Sequence, residues 1–286
     1  MRQDEAIVWT HGAERVTLSV TEPPVYLVGV EGLDGLEQAI YSTKGSGQAG
    51  VSVSGASPNE REIVIAFQLR RASARNARRQ LLRAFQPSDV PGVLTFVRGS
   101  ERWSIQCYVE AAPRFAEGVM PQGEVTLIAP APALLAPETT VDIARWVDNI
   151  GFAFEIPPEG HELTYRAPQL IVNACNDGDM DAGALIIIHA TGSARNPHLL
   201  NVLTREQMGF TVELMANDEL RIYTAYGQKH IELVRGGVTS NAFTVLDAGS
   251  TWLQIHPGDN FLRYSAEENE DNLEVRIRYA AAYSGV

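Results

Sequence analysis

Short apolar runs, broken by turn residues at close intervals, constrain this chain more than any other feature. Runs with apolar side chains at every second residue, or short and continuous, occupy residues 15–20, 26–30, 51–54, 62–69, 92–98 and 103–109. That is the pattern of half-buried or buried strands. It continues at 152–156, 169–173, 185–189, 210–214, 219–224, 230–234, 252–256 and 273–279. Turn signals such as Asn176-Asp177-Gly178-Asp179, Gly236-Gly237 and Pro257-Gly258-Asp259-Asn260 separate the later runs. A turn every ~8–12 residues is the spacing of an antiparallel sandwich. The chain reads as mainly β.

One helix interrupts the strands, over about residues 73–85. Ser73 is its expected N-cap, and Ala77, Leu81, Leu82 and Phe85 form an apolar stripe at helical spacing. Arg75, Arg78, Arg79 and Arg83 occupy much of the remaining surface, and Gln86-Pro87 stops the helix. Between 130 and 137, three prolines fall in eight residues without any period. Such a stretch reads as a stiff linker. It divides the chain into a first domain, 1–136, of strands and one basic helix, and a second, 137–286, with no expected helix.

Charge and composition exclude several classes. At 45% hydrophobic and 20% charged residues the chain is not disordered. Cys107 and Cys175 are too few for a disulfide scaffold or a four-cysteine zinc site. The longest apolar runs, such as 184–188, fall far short of the ~20 residues of a membrane span. Asp4 and Glu5 stand where a signal peptide would carry positive charge, so a soluble product made in a cytoplasm is expected. The net charge of −12 is uneven: residues 61–114 hold 10 basic and 4 acidic side chains, whereas 1–60 hold 3 and 8 and 115–286 hold 10 and 23. So acidic a chain repels a polyanion over most of its surface, which makes the basic helix a solvated or interface-facing element rather than a nucleic-acid reader.

A search for chemistry yields no catalytic constellation. Gly45-Ser46-Gly47-Gln48-Ala49-Gly50 matches the dinucleotide-binding pattern, but a strand pattern follows where a helix must begin. Asp177, Asp179 and Asp181 resemble the opening of a calcium loop, yet Ala182 and Ile188 occupy the positions that require glycine and a bidentate acid. A calcium site on a β-loop therefore stays open beside the reading as an acidic turn. His161-Glu162 lacks the second histidine of a zinc protease, since Arg166 stands there, and no nucleophile elbow occurs. Trp146, Trp252, Phe261 and Tyr264 are candidates either for the sandwich core or for a sugar groove on its face.

The ordered series of these segments resembles the distal tail proteins of siphophages, long-tailed non-contractile bacteriophages, which form the hub at the tail tip. In the first domain the resemblance runs from Gly32-Leu33-Asp34-Gly35 through Arg61-Glu62-Ile63-Val64-Ile65 to the helix end Leu81-Leu82-Arg83-Ala84-Phe85-Gln86-Pro87. Gly92-Val93-Leu94-Thr95-Phe96, Arg102-Trp103-Ser104-Ile105 and 109–115 complete that half. In the second domain it rests on Asn173, 176–179, Gly183, Gly192, Asn196-Pro197 and 257–260. The chain departs from the family after Pro132, where Ala133-Leu134-Leu135 stands in place of an aromatic residue.

The resemblance implies an N-terminal β-barrel-like domain with one α-helix and a C-terminal galectin-like antiparallel β-sandwich. It further implies a hexameric ring, single or as two stacked rings, that joins the tail tube to a tail-associated fibre or lysin protein while DNA passes through. Such a protein is a virion component synthesised in the host bacterial cytoplasm. It is no enzyme and needs no cofactor, catalytic residue or metal, and it engages neither a membrane nor a specific nucleic-acid sequence. Arg75, Arg78, Arg79 and Arg83 are then candidate interface residues, with a solvated arginine face as the other reading. A host-surface carbohydrate-binding sandwich is the alternative function, and a β-sandwich glycosidase or lyase is a third.

Overall fold

The structure, a computed structural model, describes residues 4–116, 120–143, 146–148, 164–166 and 171–286. It divides into two compact units, Met1–Pro137 with Ala282–Val286, and Glu138–Ala281. The expected division at 136/137 assigns 282–286 to the second domain, whereas here they group with the first unit. The reason is local: Ala282 and Tyr283 pair with Leu135 and Leu134, and the Val286 N–H donates to the Leu33 carbonyl at 3.0 Å.

Unit 1 contains β1 (Glu5–His11), β2 (Glu14–Ser19), β3 (Val25–Glu31), β4 (Gln38–Thr43), β5 (Ser52–Pro58), β6 (Arg61–Leu69), α1 (Ala74–Ala84), β7 (Gly92–Arg98), β8 (Glu101–Phe115), β9 (Gln122–Ala129) and β10 (Leu134–Leu135). Seven strands run in the order β8-β7-β1-β2-β3-β6-β9, and β9 pairs back onto β8 to close a barrel. Closure removes the free edges an open sheet would carry. Strict alternation fills the interior: Arg61, Ile63, Ile65, Phe67 and Leu69 of β6 are buried, and the residues between them are not. β1 contributes Ile7 and Trp9, β2 Val16 and Leu18, and β9 Val125 and Leu127.

Helix α1 lies against this core through Ala77, Leu81 and Ala84, followed by Phe85 at its C-cap. Leu82, placed on the apolar stripe by the sequence, is 42% exposed, and Ala84 takes the inward position instead. The stripe is narrower than expected because the helix packs on one side only. Ser73 stands at the N-cap but makes no capping hydrogen bond; its backbone N–H donates to the Arg70 carbonyl at 3.1 Å, closing a 3-10 turn over Arg71–Ser73, and its hydroxyl reaches the same carbonyl at 3.5 Å. At the other end, Trp9 Nε1–H donates to the Ala84 carbonyl at 2.7 Å while the Trp9 ring stacks on Phe85 at 5.1 Å. Gly92 makes room for this pair, since a Cβ there would lie 2.4 Å from the Trp9 ring. Burying Phe85 contributes about 3–5 kcal/mol by the usual cost of truncating a core aromatic.

Unit 2 contains β11 (Thr139–Ile143), β12 (Trp146–Asp148), β13 (Thr164–Arg166), β14 (Ile171–Asn173), β15 (Ala184–Ala190), β16 (Ala194–Asn201), β17 (Gln207–Gly209), β18 (Glu213–Leu214), β19 (Glu219–Tyr223), β20 (His230–Arg235), β21 (Val238–Asn241), β22 (Phe261–Glu268) and β23 (Leu273–Tyr279). A six-stranded sheet, β11-β23-β15-β19-β20-β21, and a second sheet, β14-β22-β16-β17 with β18 also on β16, make an antiparallel sandwich. Ile186 and Ile188 of β15, Leu220 and Ile222 of β19 and Val275 and Ile277 of β23 face one core, as does Tyr264 of β22. No α-helix occurs among the described residues of this unit.

Two expected strands fail here. Residues 252–256 form no strand beyond a bridge from Ile255 to Ala182, and of 210–214 only Glu213 and Leu214 pair as one. Leu253, Gln254 and Ile255 are consecutively buried, so the segment is enclosed on both sides rather than half-exposed. Conversely, β16 contains Pro197 and a left-handed Asn196 (φ 49°), both of which argue against a strand in sequence. The expected run 152–156 and His161 lie outside the described residues, as does the start of 169–173.

Candidate functional site

The exposed face of α1 is cationic. Arg75, Arg78, Arg79 and Arg83 all lie at the surface, because the buried positions 77, 81 and 84 leave them on the opposite side of the helix. Two of the four are used within the unit. Arg78 covers the Phe115 ring at 4.6 Å, and Arg83 approaches Glu14 at 3.9 Å. Arg75 and Arg79 have no carboxylate partner among the described residues. The structure thus brings the four predicted residues to one face and leaves two of them with charge to offer.

A second surface was not legible as a site in sequence. Among the described residues strands β4 and β5 pair only with each other, and Ile40, Tyr41, Val51 and Val53 are 65%, 56%, 56% and 62% exposed. An isolated two-stranded hairpin is at best marginally stable in water. On this hairpin and the turn that joins its strands, exposed apolar side chains are concentrated in one place rather than scattered singly. The only sequence signal was the glycine-rich segment 45–50, which forms the connection of this hairpin: Gly47 and Gly50 adopt φ of 73° and 86°. A strand follows it, where a dinucleotide-binding motif would require a helix.

A buried arginine anchors the chain near this hairpin. Arg61 is 5% exposed, and its guanidinium donates to the carbonyls of Pro132 (2.8 Å), Gly32 (2.6 Å), Asp34 (2.7 Å) and Ser284 (2.6 Å). One side chain therefore ties β6 to three separated loops, including the C-terminal residues. Four fixed acceptors suit the planar fork of an arginine and not a lysine.

In unit 2 the aspartates of the calcium-like segment are used locally. The Asp177 carboxylate accepts from Cys175 Sγ at 3.4 Å, and Asp181 faces His256 Nδ1 at 2.8 Å. On the other side of that ring, Nε2 faces Glu206 at 2.8 Å. Burial alone would lower the His256 pKa, but hydrogen bonds to Glu206 and Asp181 prevail and raise it. Both nitrogens facing carboxylates is the arrangement of a doubly protonated imidazole. The two cysteines are free, Cys107 buried and Cys175 exposed, and burial pushes the Cys107 thiol up to about 12.

The four candidate groove aromatics do not share one surface. Tyr264 is core, whereas Phe261 is on the other face of β22 and 37% exposed. Trp252 is half-buried beside Phe243, and the side chain of Trp146 lies outside the described residues. Among the described residues no group of three or more His, Cys, Asp or Glu side chains is placed to hold a metal. No helix among them is long and apolar enough to cross a membrane.

Residues 177–283 match the family model of the siphovirus-type tail component, C-terminal domain. No curated protein matches the chain. Among solved structures, the SPP1 Dit (gp 19.1) protein, described as a paradigm of the hub adsorption apparatus in phages infecting Gram-positive bacteria, superposes with a TM-score of 0.67 at 12% identity, over 96% of this chain and 98% of its own. A chain of the phage p2 baseplate in its activated conformation with Sr gives 0.50 at 11% identity, over 99% of both chains. The same baseplate with Ca gives 0.50 at 11% over 100% of both. The barrel with its single helix and the sandwich therefore have the fold of the SPP1 Dit protein over nearly the whole chain, and residues 177–283 are similar to the C-terminal domain of the siphovirus-type tail component.

Proposed function

We propose that this protein is the hub of a siphophage tail tip. Six copies close into a ring, single or doubled, that joins the tail tube to the tail-associated fibre or lysin protein and leaves a central passage for DNA. The chain is made in the host bacterial cytoplasm, ends at the virion tail tip, and acts by assembly rather than by catalysis. The observation that carries this reading is the β4–β5 hairpin, whose apolar side chains are exposed and which pairs with no other strand among the described residues. A neighbouring copy supplies what the hairpin lacks. A head-to-tail contact of this kind closes into a ring when its rotation divides a full turn. The cationic face of α1, with Arg75 and Arg79 uncommitted, sets the register of that contact or of the contact with an adjoining tail protein.

Light scattering on purified protein tests this. With a chain mass of 31.2 kDa, the expected particle is about 187 kDa, or twice that for two rings. Replacing Ile40 and Val53 together by serine is expected to shift the mass to that of a monomer without lowering Tm, since both side chains are exposed. Charge reversal at Arg75 and Arg79 is expected to weaken assembly with a stronger dependence on salt. A wild-type monomer at every concentration, or rings that persist in the hairpin variant, overturns the reading.

A further inference from the structure

Residues 138–281 carry 10 basic and 21 acidic side chains, and Lys229 is the sole lysine among them. Arg195, Arg221, Arg235, Arg276 and Arg278 each meet a carboxylate within 4 Å. Lys229 meets none among the described residues. Its ammonium instead lies 4.6 Å from the Tyr226 ring centroid and 5.8 Å from that of Trp252. The Phe243 ring stands 6.1 Å from Trp252 at 32°. Three separate segments bring these rings together: the turn between β19 and β20, the 3-10 turn after β21, and the irregular stretch before β22. Tyr226 is 71% exposed and Phe243 50%.

We propose that Tyr226, Phe243, Trp252 and Lys229 form a binding site for a neutral polysaccharide. Flat aromatic faces stack on the C–H faces of sugar rings, and a nearby N–H donor bonds their hydroxyls. The charge balance selects among ligands. The acidic excess of this unit repels a polyanion, and Lys229 beside the Tyr226 and Trp252 rings opposes a basic partner. An uncharged polyol meets neither obstacle. The chemistry also differs from that of the β4–β5 hairpin, where Ile40, Val51 and Val53 present aliphatic surface suited to another protein chain. On binding, the Lys229 ammonium leaves the Tyr226 face and donates to hydroxyl oxygens.

The test is a calorimetric titration of the full chain with dextran, laminarin and galactomannan as neutral polymers, and with polygalacturonate as the polyanion. Saturable binding of at least one neutral polymer is expected, weakened roughly tenfold or more by Tyr226→Ala or Trp252→Ala and about threefold by Lys229→Met. Tyr226→Phe should retain binding, and Tyr226→Ala should leave Tm unchanged because the ring is exposed. The proposal is overturned by the absence of saturable binding to all three neutral polymers, by equal binding of the variants, or by preference for polygalacturonate. Loss of self-association in Tyr226→Ala, read by light scattering, would overturn it too by making the patch a contact between copies.

Discussion

The two units solve the same problem, satisfying buried backbone, in different ways. The barrel closes its hydrogen-bond ladder on itself, so few polar side chains are needed inside: Glu5, Ser19 and Arg61 are its buried polar residues among those described. The sandwich leaves irregular segments at its ends, and there Asn176, Asn201, Asp218, Thr224, Gln254 and Asn260 are buried. The Asn260 amide alone donates to the carbonyls of Ala174, His256 and Gly258, while its oxygen accepts from the His256 N–H at 3.0 Å and the Asn201 amide at 3.1 Å. Where strands stop, side-chain amides take over the role of the ladder. The lesson is that a closed barrel needs few buried polar residues, of which Arg61 alone reaches several carbonyls, whereas a sandwich distributes that role over many.

The largest expected effect breaks that contrast at Arg61. Arg61→Met removes the shared donor of four carbonyls and should cost about 3–5 kcal/mol in urea unfolding. Hydrogen exchange is expected to accelerate in β3, β6 and 282–286 and to stay unchanged in unit 2. Acceleration throughout both units would show that they unfold as one. Next comes Asn260→Ala, expected to cost about 2–4 kcal/mol because several buried partners lose their bonds together. Exchange should then rise at 173–176 and 254–260 and not in the barrel. A loss no larger than that of an exposed asparagine would refute the distributed network.

The smallest effect is pH-dependent. His256 is held above the ordinary value of 6.5, so its charged form stabilises the folded state fully below about that pH and the contribution is lost as pH rises through the raised native value. His256→Gln should therefore lower stability by about 1 kcal/mol in mildly acidic buffer and by less in alkaline buffer. A Tm difference between wild type and variant that is constant with pH would show that the imidazole acts only as a spacer.

Local pattern was enough for the mainly β class, the single helix and most strands of both units. Alternation along β6, β7 and β23 follows from the side-chain period of a strand, and that period needs no knowledge of partners. The arginine face of α1 was equally legible, since helical spacing places 75, 78, 79 and 83 away from 77 and 81. Partners were not legible. Only the fold assembles the four carbonyls around Arg61, encloses 253–255 on both sides so that an apolar run is no strand, and turns Leu82 outward. Only the fold leaves the β4–β5 hairpin without a neighbouring strand among the described residues, and brings Lys229 to Tyr226 and Trp252 with Phe243 beside Trp252. The physical reason is range. Backbone periodicity is set by neighbours along the chain, whereas burial, hydrogen-bond partnership and exposure are set by residues up to 223 positions apart, as between Arg61 and Ser284.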